Sequence, residues 1–116
     1  YLCCNKTHFI MNFEQLPTDL FRFGFKTKST SPVDPLSKDR VEKISGWIST
    51  RFDKGDKLYK SASSYGIKHF VEREMGEYVS TGEVIAAFLT LGFKYEQDGP
   101  NAYFFISKIA VSDNRK

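Results

Sequence analysis

The stretch from residue 80 to 109 constrains this chain more than any other, because it encodes a capped apolar helix followed almost at once by a hairpin. Ser80, Thr81, Gly82 and Glu83 form a capping box. In such a box the serine oxygen accepts a backbone N–H and the glutamate reaches back to the cap. The helix that follows reads VIAAFLTLG, and Gly92 supplies its stop. Two strands come next, FKYEQ and AYFFISKI, joined by Asp98, Gly99, Pro100 and Asn101, a connector with strong turn chemistry. Outside its apolar stripe the helix offers Thr81, Glu83, Ala86, Ala87 and Thr90, with no Arg, Lys, Asn or Gln. A core helix is therefore expected, buried on one side and covered on its small-residue side by another element or a partner.

Upstream, Val41, Ile44, Trp47, Ile48 and Phe52 recur at helical spacing and predict an amphipathic helix. Asp34 followed by Pro35 suits its start, with Ser37 as a competing cap. Gly46 weakens this helix by about 1 kcal/mol relative to Ala. The expected stop lies at Asp53 to Asp56, with Gly55 in the left-handed conformation. Leu58 and Tyr59 then fit one brief strand. Ser61, Ser63 and Ser64 offer caps for a second helix bearing Ile67, Phe70, Val71 and Met75, ended by Gly76. Further upstream, Phe21, Phe23 and Phe25 alternate with Arg22, Gly24 and Lys26, which predicts a half-buried strand with a basic outer face. The run KTKSTSPVDP after it reads as a linker.

With 116 residues, 41% of them hydrophobic, the chain fits one globular domain. Its 11 Phe, 6 Tyr and 1 Trp give it a real core and exclude global disorder. The run from Tyr78 to Leu91 is interrupted by Glu83 and falls short of the roughly 20 apolar residues that span a bilayer. Cys3 and Cys4 are adjacent and form no disulfide framework, so a reducing compartment, the cytoplasm, is expected. The expected organisation is a non-native or disordered end at 1–10, a strand and linker at 11–34, a domain at 35–109 and a tail at 110–116. No signal peptide is expected in YLCCNKTHFI. The fold class is α+β, three helices with a small antiparallel β-hairpin sheet.

After the leading strand, the order over 35–109 is helix, short strand, helix, turn, helix, hairpin, and it resembles the winged-helix arrangement, a helix-turn-helix variant. That resemblance implies DNA binding, with the third helix in the major groove and the hairpin as a wing against the backbone. The residues of the third helix disagree with base reading, since Arg, Lys, Asn and Gln are the usual readers of base edges. The stretch SSYGIKHFVEREMGEYVSTGEVIAAFLTLGF, followed by NAYFFIS, also resembles short proteins of phages and other mobile elements. This resemblance implies an origin.

Net charge is +3, but it is unevenly distributed. Residues 22–60 hold ten Lys or Arg against five acids, and residues 61–107 hold three against six. If folding keeps the halves apart, one surface attracts phosphate. The expected phosphate contacts are Lys26, Lys28, Lys38, Lys43, Arg51, Lys54, Lys57, Lys60 and Lys68, with Tyr59 placed to stack on a base. Their bland alternative is a solvated face, with Lys54, Lys57 and Lys60 in a loop beside Asp53 and Asp56. Tyr95, Tyr103 and Phe105, with Phe104, put rings on both faces of the hairpin, which points to an interface unless the Phe21, Phe23 and Phe25 strand covers it. A protein partner or a homodimer is the competing expectation, and no membrane contact is expected.

Catalytic patterns are thin. No P-loop, GxGxxG or HExxH is present. His69 reads as an ordinary helix histidine, and Cys3, Cys4 and His8 supply too few donors for a structural zinc. Glu72, Glu74 and Glu77 are spaced around the helix and fit a solvated face with Arg73 better than a metal cluster. A non-enzyme without cofactor or metal is the expectation.

Overall fold

In the computed structural model, which describes residues 12–27 and 34–109, the chain is an α+β protein. Among those residues, its helices are α1 (Lys38–Ser49), α2 (Ser64–Met75) and α3 (Thr81–Thr90). Its strands are β1 (Leu20–Phe21), β2 (Gly24–Phe25), β3 (Phe52–Leu58), β4 (Tyr95–Asp98) and β5 (Asn101–Ile109). β1 and β2 form a two-stranded antiparallel hairpin, and the other strands form an antiparallel sheet in the order β3-β5-β4.

The capping box opens α3 as its sequence dictates. The Ser80 Oγ accepts from the Glu83 N–H at 3.3 Å, and the Ser80 N–H donates to Glu83 Oε1 at 3.0 Å. Every residue from Thr81 to Leu89 is buried. α1, α2 and β5 pack on this helix, and the β1–β2 hairpin closes the remaining side. Gly82 allows that closure: its N–H donates to the Arg22 carbonyl at 2.8 Å, and a Cβ there would overlap the Phe21 carbonyl oxygen. Below, Phe88 stacks on Phe104 at 4.2 Å and meets Phe93 and Phe52 edge-on at 4.8 and 5.2 Å. Each such ring pair adds roughly 0.5–1.5 kcal/mol beyond the area it buries.

Three local expectations are corrected. The alternating phenylalanines do not form one strand; Gly24, at φ 117°, permits a tight turn that folds β2 back on β1. Phe25 is thereby buried, while Phe23 stands at the turn, 55% exposed. α1 starts after Ser37, not at Pro35, because the Asp34 carbonyl accepts the Arg22 N–H at 2.8 Å and ties that residue to the hairpin. α1 also ends at Ser49, and residues 53–56 belong to a strand instead of a helix stop. Gly55 is there for space: a Cβ would lie 2.6 Å from the Ser107 nitrogen on β5. The β3–β5 register shifts on both sides of Lys54, and Ser107 Oγ fills the irregularity by donating to the Lys54 carbonyl at 2.8 Å. α2 and α3 lie as the sequence predicts, with Gly76 closing α2 at φ 76° and Gly92 following α3 at φ 89°. The hairpin strands are Tyr95–Asp98 and Asn101–Ile109, so Asp98 and Asn101 pair across the sheet. The brief strand expected at Leu58 and Tyr59 is the end of β3, which stops at Leu58.

Two glycine substitutions separate close approach from mere helix cost. Gly82→Ala must displace the β1–β2 hairpin and is expected to lose about 1–3 kcal/mol in urea unfolding. Gly46→Ala, with nothing within 4 Å of its Cβ, is expected to gain up to about 1 kcal/mol.

Candidate nucleic-acid interface

Which cations are free to meet phosphate depends on which are already bound to carboxylates. Folding does not keep the basic and acidic halves apart. Arg40 Nη1 donates to Glu77 Oε1 at 2.6 Å, and its Nε lies 3.7 Å from Glu83 Oε2, a carboxylate that α3 buries. Lys43 reaches Glu77 at 2.6 Å and Lys38 reaches Glu14 at 3.8 Å. Lys68 is buried, pairs with Glu72 at 3.2 Å and lies 5.0 Å over the Tyr78 ring. It is thus withdrawn from the expected phosphate contacts, and Lys43 is held by Glu77. Two of the three glutamates expected on a solvated face take partners: Glu72 accepts the Val79 N–H at 3.1 Å as well as Lys68, and Glu77 anchors Arg40 and Lys43.

These bonds perturb the carboxyls in one direction. The Val79 N–H, aided by Lys68, holds Glu72 below the usual carboxylate range, and hydrogen bonds from Lys43 and Arg40 do the same for Glu77. Arg40 is raised in turn, chiefly by Glu77.

Lys26, Arg51, Lys54, Lys57 and Lys60 make no ion pair among the described residues. Lys28 lies outside the described residues. Apart from Lys26, the unpaired set falls on β3 or just beside it, and Lys54, Lys57 and Lys60 are exposed. β3 is an edge of its sheet, so one side of its backbone faces no other strand. The expected loop is a bulged strand, and Asp53 and Asp56, expected to pair with these lysines in part, make no ion pair with them. Lys54 Nζ lies 5.9 Å over the Phe93 ring, beside an open cavity of about 330 Å³ lined by Ser49, Phe52, Asp53, Lys54, Leu91 and Phe93. Tyr59 is half-buried against the core, and its N–H donates to the Phe104 carbonyl at 2.9 Å.

The hairpin aromatics do not share one surface. Tyr95 pairs across the sheet with buried Phe104, packs on the core and stacks on Phe25 at 6.2 Å. Burial raises its phenol above the ordinary range. Of the leading phenylalanines Phe25 thus covers Tyr95 within the chain, while Tyr103 and Phe105 alternate with the buried Phe104 on the opposite sheet face, Phe105 lying 5.3 Å beneath Lys94 Nζ.

Two features escape the sequence reading. Arg73 lies 5.7 Å over Phe70, and Arg51 lies 5.1 Å over Trp47, whose ring is 6.2 Å from that of Phe70. The three-residue spacing of Phe70 and Arg73, which places them on one helix face, was the available signal. Arg22 lies 5.2 Å from the Phe23 ring and 6.0 Å from the Tyr78 ring, and both aromatics are more than half exposed. Nothing local in the sequence joins residue 22 to residue 78.

His69 is half exposed, with Nδ1 3.4 Å from Glu72 Oε1 and Tyr65 edge-on at 4.6 Å. Among the described residues no group of three or more His, Cys, Asp or Glu is arranged to hold a metal ion, and no helix is long and apolar enough to cross a membrane. Cys3, Cys4 and His8 lie outside the described residues.

The lowered Glu72 and Glu77 make stability depend on acid pH with a definite sign. Both groups bind protons more readily when the chain is unfolded, so their contribution is full above the ordinary value of 4.5 and is lost as pH falls through the lowered folded values. Urea unfolding between about pH 3 and pH 6 should show stability rising with pH, and Glu77→Gln should flatten that rise. No family model, curated protein or solved structure matches this chain.

Proposed function

We propose that this chain is a small, non-catalytic nucleic-acid-binding protein of the cytoplasm, of phage or mobile-element origin, with a winged-helix-like arrangement. Its contacts are to phosphate and run along β3. The observation that carries this reading is the segregation of cations: Arg40, Lys43, Lys38 and Lys68 are tied to carboxylates, whereas Arg51, Lys54, Lys57 and Lys60 have none. A carboxylate-free cation is available to displace counterions from a polyanion, and a paired one must first give up its partner. The winged-helix likeness finds support in the placing of β3 between α1 and α2 and in the β3-β5-β4 order. The burial of α3 turns that likeness away from base reading and toward the backbone.

A second reading, docking of another protein, is favoured by the exposed Phe23 and Tyr78 flanking Arg22. It predicts that exchanging both rings for Ser abolishes partner binding, while charge reversal on β3 leaves that binding unchanged.

Fluorescence anisotropy of a labelled oligonucleotide tests the first reading. If Arg51, Lys54, Lys57 and Lys60 each neutralise a phosphate, log K should fall against log salt with a slope of about −3 to −4. Replacing Lys54, Lys57 and Lys60 together by Glu should reduce binding at least about a hundredfold at low salt. No binding at low salt, or binding that survives this charge reversal, contradicts the proposal.

A further inference from the structure

The surface where α1 passes into β3 carries more than charge. Trp47 and Phe70 are half-buried, their rings 6.2 Å apart, and each has an arginine above it. Neither Arg51 nor Arg73 forms an ion pair among the described residues. Arg51 Nε is buried without a hydrogen-bond partner, the one such side-chain nitrogen or oxygen among the described residues. The Arg51 Nη1 donates to Thr50 Oγ1 at 3.5 Å in an exposed position, so the outer edge of the guanidinium, not the buried Nε, is the part that meets an external acceptor. Phe52 packs against both Trp47 and Phe70 and begins β3, so this aromatic cluster continues directly into the strand that carries Lys54 and Lys57 beside Asp53 and Asp56.

The geometry points to a single-stranded nucleic acid as the ligand of this surface, its bases stacking at Trp47 and Phe70 and its phosphates held by Arg51, Arg73 and the β3 lysines. The inference rests on the phosphate-binding reading above and adds the class of strand. A duplex hides its base faces, so rings flanked by guanidinium groups favour an unpaired strand, whose bases are free to stack. α3, the helix that would enter a major groove, is enclosed by the rest of the fold. The nearest elements supply Arg51, Arg73, Lys54 and Lys57 without ion pairs among the described residues, interleaved on β3 with the likewise unpaired Asp53 and Asp56.

Trp47 is the single tryptophan of the chain, so its emission reports on this surface directly. The experiment titrates the full chain with oligothymidylate and with a mixed-sequence duplex of equal length. Trp47 emission and the anisotropy of a labelled strand are both followed. The expected result is saturable quenching by oligothymidylate, with affinity about tenfold or more above that for the duplex. Arg51→Gln and Arg73→Gln should each weaken single-strand binding about three- to tenfold while leaving the circular dichroism spectrum intact. Equal or tighter duplex binding, or single-strand binding without quenching, overturns the stacking surface while leaving phosphate contact along β3 in place. Absence of anisotropy change with either nucleic acid overturns both.

Discussion

The enclosure of α3 is the constraint on which the rest of this structure depends. A helix buried from Thr81 to Leu89 must have every side covered, and its sequence specifies the covering: Phe88 meets the sheet, and Gly82 admits the backbone of the β1–β2 hairpin. It also carries Glu83 into the interior. A buried carboxylate requires partners, and it finds the Ser80 N–H and the Arg40 guanidinium. Arg40 then draws in Glu77, and Glu77 draws in Lys43. A single buried glutamate thereby commits two cations of the basic half, Arg40 and Lys43.

That dependence links the core to function. Arg40 and Lys43 are bound up in this network, whereas Arg51, Lys54, Lys57 and Lys60, from the far end of α1 along β3 and just past it, form no ion pair among the described residues. The helix that a winged-helix likeness would send into a groove is inside, and the charge that would meet phosphate is on a strand. A binding mode built on backbone contact and ring stacking follows from this distribution, whereas base-edge reading by α3 would require the hairpin to leave.

Much of the fold was legible from local signals. The capping box, the apolar run and the Asp98 to Asn101 turn each act within a few residues, so α3 and the β4–β5 hairpin read correctly. Where the reading failed, a distant backbone decided. Gly55 looked like a helix terminator because its real reason, Ser107 more than fifty residues on, leaves no local trace. Asp34 and Pro35 suited a helix start until the Asp34 carbonyl was taken by Arg22. The candidate site was half legible for the same cause: lysine positions could be counted, but Lys68 is disqualified by burial, and Tyr95 by a ring from the N-terminal hairpin.

The most direct test of the central claim is amide chemical-shift mapping of the isotopically labelled chain during titration with an oligonucleotide. The account predicts the largest shifts from the end of α1 through Phe52–Leu58, with the α3 amides little changed. Shifts concentrated on α3, or on the Tyr103 and Phe105 face of the sheet with β3 silent, would contradict it.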